Sequence, residues 1–164
     1  MTKTLFLLRH GKSDWSNGNQ SDHERTLHAI GKGEVSRIAA WLKRRSLSPG
    51  RVISSTAVRA RDTAFIVMDE LGMKRDAVTL EENLYLAEPP AYMNVLTHLS
   101  QDPPTVLLVG HNPGMSELAT RICSESIEMP TAALLEIELS ISQFSELDFS
   151  TSAQLIHFLR PSEL

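Results

Sequence analysis

The 164-residue chain has one cysteine, Cys123, so it can form no intrachain disulfide and build no cysteine-based zinc cage. A reducing compartment, the cytoplasm, is the expectation. A long apolar run is also missing: Leu5-Phe6-Leu7-Leu8 is cut off by Arg9-His10, too short for the core of a signal peptide and far too short to span a bilayer. Neither a membrane nor a nucleic acid is expected as a partner. The net charge is -4, from 20 acidic against 16 basic residues, which gives no global positive field for a phosphodiester backbone, so any anion site must be local. Repeats, low-complexity tracts and Pro/Gly/Ser linkers are lacking, which predicts one domain over residues 1–164. Hydrophobic residues at 41% and charged residues at 22% exclude a disordered or collagenous chain.

What is present is an alternation of short apolar runs with helical stripes. Thr4 to Leu8 reads as a buried strand, after which Val35, Ile38, Ala39 and Leu42 recur on one helical face. Lys43-Arg44-Arg45 closes that helix, where cations complement the helix dipole. Arg51 to Ser54 is a second strand, followed by the stripe Ala60, Ala64, Val67, Met68 and Leu71. Tyr92, Val95, Leu96 and Leu99 make a third stripe; Thr105 to Val109 is another strand, with Met115, Leu118, Ala119 and Ile122 behind it. Ala132 to Leu139 and Ala153 to Leu159 read as strands that pair antiparallel at an edge. Strand then helix, repeated, predicts an α/β three-layer sandwich: a mostly parallel sheet with helices on both faces, because parallel neighbours need crossovers.

Three chemistry-bearing groups each follow a strand: Arg9-His10-Gly11, Ser54-Ser55 leading to Arg59, and Gly110-His111-Asn112-Pro113. In open α/β sheets ligands bind at the carboxyl ends of strands, so two histidines and two arginines distant in sequence should converge in one crevice. Such a cluster suits phosphoryl transfer. Arginines hold the equatorial oxygens, a neutral imidazole attacks phosphorus, and a second histidine stabilises charge. Gly11 and Gly110 are expected to let backbone approach a phosphate, and Asn112 with Pro113 to be N-cap and N1 of a helix whose free N–H groups face the anion. The six histidines His10, His23, His28, His98, His111 and His157 show no H-x-x-x-H spacing, and Arg9 and Arg59 would repel a cation. No metal and no cofactor is expected, and His23, His28, His98 and His157 are assigned no role.

In Leu7-Leu8-Arg9-His10-Gly11-Lys12-Ser13-Asp14-Trp15 the sequence resembles the R-H-G signature of the histidine phosphatase superfamily, which has the phosphoglycerate-mutase-like fold. Asp22 to Leu27 with Gly31 resembles its D-x-x-R-x-L segment, Ser54 to Ala64 its S-S-x-x-x-R-A-x-x-T-A element, and Val109 to Gly114 its G-H-N-P-G element. The likeness is greatest to the SixA-like phosphohistidine phosphatase branch and fades in the last third. By resemblance His10 is the nucleophile, Arg9, Arg59 and His111 form the phosphate pocket, and Arg25 is a basic position beside it; Arg61 faces solvent or caps a neighbour. The resemblance implies a metal-independent phosphatase acting through a phosphohistidine intermediate and releasing inorganic phosphate.

One departure bears on the substrate. The mutases and many monoester phosphatases of the superfamily carry a catalytic glutamate in an L-x-E-x-x-x-G insert, which the stretch Leu80 to Leu86 lacks. A phosphate monoester leaves badly without an acid, whereas the P–N bond of phosphohistidine is labile. A phosphorylated protein carrying phosphohistidine is therefore the expected substrate. The alternatives are a small phosphate ester, with Glu81, Glu82, Glu88 or Asp14 as acid, and a phosphoprotein-binding module without catalysis. Trp15 is either a substrate contact or packing.

Overall fold

The computed structural model describes residues 1–164. Its ten regular elements are β1 (Lys3–Arg9), α1 (Ala29–Arg44), β2 (Arg51–Ser55), α2 (Val58–Glu70), β3 (Val78–Glu81), α3 (Pro89–Thr97), β4 (Thr105–Gly110), α4 (Gly114–Cys123), β5 (Leu134–Leu139) and β6 (Ala153–Leu159). The strands form one sheet in the order β3-β2-β4-β1-β5-β6. The pairs β3/β2, β2/β4 and β4/β1 are parallel, and β1/β5 and β5/β6 antiparallel. The architecture is thus the α/β sandwich that the alternation predicts, with the late strands at an antiparallel edge.

Why the central strands read as unbroken apolar runs is evident from their two faces. Successive side chains of a strand point to opposite sides. Leu5, Leu7, Ile53, Val106 and Leu108 face a core shared with Tyr92 and Leu96 of α3 and Met115 and Leu118 of α4. Phe6, Leu8, Val52, Leu107 and Val109 face the second core, against Val35, Ile38 and Leu42 of α1 and Ala60, Ala64 and Val67 of α2. Each helical stripe is core. α1 begins where the His28 side chain accepts a hydrogen bond from Ile30 N, and Lys43 and Arg44 lie in its last turn.

β3 is an addition to the predicted set. It is an edge strand whose side chains are half-buried or exposed, so Val-Thr-Leu-Glu carries neither a buried run nor a clean alternation. No helix is long and apolar enough to cross a membrane. The arrangement places the carboxyl ends of β1, β2 and β4 side by side, with Arg9 in register with Gly110.

Candidate active site

His10 follows β1, Arg59 lies in the first turn of α2 after β2, and His111 follows β4. They line one cavity of about 390 Å³ together with Arg9, Lys12, Ser13, Trp15, Asp22, Arg25, Leu86, Asn112 and Thr131. The convergence predicted from the three strand ends is therefore present.

The His10 ring is fixed by its neighbour. Its Nδ1 lies 2.7 Å from the Gly11 carbonyl oxygen, which can only accept, so the ring proton sits on Nδ1 and Nε2 carries the free lone pair. The His10 and His111 rings are 5.1 Å apart between centroids. Ser55 Oγ accepts from Ala57 N at 3.2 Å and lies 2.8 Å from His111 Nε2. Turning its hydroxyl proton to that nitrogen leaves the His111 proton on Nδ1, a buried atom without a partner.

Three more buried atoms lack partners: Nε of Arg9, Arg25 and Arg59. All four belong to the walls of this one cavity. A buried donor without an acceptor is costly and calls for a ligand. Four such atoms, on residues that share one cavity with a nucleophilic nitrogen, fit an anion with several oxygens. The other ends of the guanidinium groups are held by protein. Arg9 Nη1 donates to Met129 O (2.9 Å), and Arg59 donates to Asp22 O (2.6 Å) and Asp22 Oδ2 (3.0 Å). Arg25 donates to Ser13 Oγ and to Asp22 Oδ1 (3.0 Å).

Asp22 received no role from the sequence, yet it organises the pocket. Its carboxylate bridges Arg25 and Arg59 and accepts from the Tyr85 hydroxyl. The Tyr85 hydrogen bond and the two guanidinium groups hold its pKa down to about 2. The signal available was the i, i+3 spacing of Asp22 and Arg25; the Tyr85 partner, 63 residues on, gave none. Thr63 was also missed: its hydroxyl accepts from Gly11 N (3.0 Å) and donates to Arg59 O (2.7 Å), tying the loop after β1 to α2.

Two expectations need correction. Gly11 and Gly110 do not serve phosphate approach. A Cβ at Gly11 would meet Val35 at 2.9 Å and Gly31 O at 3.0 Å, and one at Gly110 would meet the Tyr92 hydroxyl at 2.3 Å, so both glycines face packed protein. Gly11 N is spent on Thr63, and Gly11 contributes by holding His10 rather than by touching the pocket. Nor is Asn112 an N-cap beside an N1 proline with open N–H groups. α4 starts at Gly114 with Pro113 in the cap position, and the Asn112 amide accepts from Ser116 N (3.0 Å) and Ser116 Oγ (2.9 Å) while donating to Met129 O (2.9 Å). Asn112 lines the pocket, but its side chain braces the wall and closes the helix end.

The remaining histidines lie outside the pocket. His23 is within hydrogen-bond distance of Thr56 Oγ1 and stacks on Tyr85, His28 caps α1, His98 lies beside Asn94 O, and His157 pairs with Glu136. Arg61 pairs with Asp62. No group of three or more His, Cys, Asp or Glu side chains is arranged to hold a metal ion.

The fold and site together define a phosphatase. Residues 5–85 match the family model of the histidine phosphatase superfamily (branch 1). The phosphohistidine phosphatase SixA of Escherichia coli is 30% identical over 122 residues, covering 73% of each chain. A SixA crystal structure from Agrobacterium tumefaciens superposes with a TM-score of 0.81 at 26% identity, covering 97% of this chain and 98% of that one. A protein histidine phosphatase SixA complexed with tungstate has the same fold, with a TM-score of 0.81 at 23% identity and 98% of both chains covered. The chain belongs to the histidine phosphatase superfamily, in its SixA-like branch.

The electrostatics of the pocket predict an acid-sensitive fold. Burial, with the nearby arginines adding to it, pushes His10 down to about 4, and burial together with His10 and Arg59 pushes His111 down to about 3. In the unfolded chain each imidazole protonates near its ordinary value of about 6.5. Below that pH the unfolded state binds protons that the folded state does not, so stability falls as pH drops from about 6.5 towards the folded values. The urea midpoint should hold steady above about pH 7 and decline towards about pH 4, more steeply than in His10→Gln. A midpoint unchanged over that range would contradict neutral burial of the pair.

Proposed function

We propose that this protein hydrolyses phosphohistidine in phosphoproteins, without a metal, in two steps through phospho-His10. In the first step the Nε2 lone pair of His10 forms a bond to phosphorus while the substrate P–N bond breaks and the imidazole leaves with the electron pair. Charge on the phosphoryl oxygens is met by the free Nε–H groups of Arg9, Arg25 and Arg59 and by His111 Nδ1–H, which need not reorganise because protein already holds their other ends. In the second step water attacks phosphorus, the bond to His10 breaks, and inorganic phosphate is released.

The observation that carries the substrate class is the state of the only carboxylate in the pocket. Asp22, held at about 2 by its partners, has no proton to give a departing alkoxide at neutral pH. Asp14, Glu81, Glu82 and Glu88 do not line the cavity. An imidazole needs far less help in leaving than an alkoxide. The similarity to the E. coli phosphohistidine phosphatase SixA supports the same reading.

The test is turnover of a phosphohistidine protein and of para-nitrophenyl phosphate by the wild-type protein in EDTA. Fast release of phosphate from the phosphohistidine protein with slow ester turnover is expected. Loss of activity in EDTA would refute a metal-free mechanism, and strong ester turnover that a Glu81/Glu82 double alanine variant loses would establish the ester reading.

A further inference from the structure

Two large apolar side chains stand exposed at the mouth of the phosphate pocket. Trp15 is 75% and Leu86 57% exposed, and both line the cavity that holds His10. Neither is a loose surface residue. One face of the Trp15 indole covers the Arg25 guanidinium, whose carbon lies 3.3 Å from the ring centroid, so the ring is anchored flat by a cation–π contact and its other face is free. Leu86 sits at φ +49, in the left-handed region that residues with a branched side chain rarely adopt. It is pinned there between Tyr85, which bonds to Asp22 and stacks on His23, and the buried Ala87, whose N–H bonds to Leu84 O. An exposed, strained leucine is held at the pocket only because both neighbours are fixed.

We infer that Trp15 and Leu86 form a rim subsite for a planar nitrogen-heterocycle leaving group, the imidazole ring of a phosphohistidine. The inference rests on the proposed function and deepens it: the arginines and His111 bind the phosphoryl group, and the rim selects what is attached to it. A flat ring gains stacking and burial against an indole face and a leucine. A sugar or an amino alcohol would lose water from its several hydroxyls at the same surface and find only one side-chain hydrogen-bonding group there, the indole N–H of Trp15. On transfer of the phosphoryl group to His10 Nε2, the imidazole departs with the P–N electron pair, takes up a proton from water, and leaves over the rim.

The experiment compares two small P–N substrates, phosphoimidazole and phosphoramidate, which differ in whether the leaving group is a ring. Values of kcat/KM are measured for wild type, Trp15→Ala, Trp15→Phe, Leu86→Ala and the Trp15→Ala/Leu86→Ala double variant. The ratio for phosphoimidazole over phosphoramidate should fall by about tenfold in each alanine variant, mainly through KM, further in the double variant, and return towards wild type in Trp15→Phe. Both side chains are exposed, so the variants are expected to fold, as melting curves would verify. A ratio unchanged in the alanine variants, whether both activities drop together or neither drops, overturns the rim. Wild-type inactivity towards both compounds and towards the phosphohistidine protein overturns the proposed function, and the rim with it; inactivity towards both compounds with turnover of the phosphohistidine protein overturns the rim alone, since a ring subsite should accept phosphoimidazole.

Discussion

His10→Ala should lose turnover of a phosphohistidine protein by about 10⁴-fold or more, and with it the acid-labile phosphate that alkaline quenching traps on the wild-type enzyme. The size of the effect follows from the geometry. The Gly11 carbonyl fixes the tautomer, burial keeps the ring neutral, and Nε2 is the only uncharged nucleophilic nitrogen open to the cavity, because His111 Nε2 is engaged with Ser55. No cysteine or second free imidazole stands by to substitute. His10 is the wall residue that the oxygen-binding donors surround, so its loss should leave phosphate binding largely in place. The informative comparison is turnover against binding of inorganic phosphate by calorimetry. An alanine variant that still turns over would remove the covalent mechanism. One that loses binding together with turnover would mean that the ring, rather than its lone pair, shapes the pocket.

Arg59→Ala is the second large effect, a loss of about 10²- to 10³-fold in kcat/KM. Arg59 is 2% exposed and lines the cavity with its buried Nε unpaired, while its two Nη atoms are fastened to Asp22. The donor is therefore aimed before substrate arrives, which is why its removal should cost more than one ordinary hydrogen bond. Arg59→Lys keeps the charge but has no fork to bond Asp22 and the phosphoryl oxygen together, so it should recover little of the lost rate. The fold should survive, because Asp22 keeps Arg25 and Tyr85; a loss of stability of about 1–3 kcal/mol is expected from the broken bonds. Full activity in Arg59→Lys would reduce its role to a diffuse positive charge.

The same residues mark the boundary between local and tertiary information. His10, Arg59 and His111 were legible because each sits directly behind an apolar strand, and the topology of parallel sheets brings strand ends together. Arg25 was placed by resemblance to a sequence element, and the structure supplies the reason for its position: it spans Ser13, Asp22 and the face of Trp15. β3 was not legible, since an edge strand needs no buried run. Asp22 and Thr63 escaped notice because their partners come from other segments, and a carboxylate or hydroxyl carries no mark of what it will meet.

The sequence by itself determined the layer order, the two cores and the convergence of the histidines and arginines, since strand and helix periodicities are local and the strand ends inherit their place from the sheet. Only the tertiary structure decided that Gly11 and Gly110 turn their bare sides to packed protein, that the Asn112 amide closes α4 and braces the wall, and that Asp22 gathers Arg25, Arg59 and Tyr85. The reason is geometric. A side chain's type is fixed by its codon, but the direction of a Cβ and the distance to a partner dozens of residues away exist only once the helices have packed on the sheet.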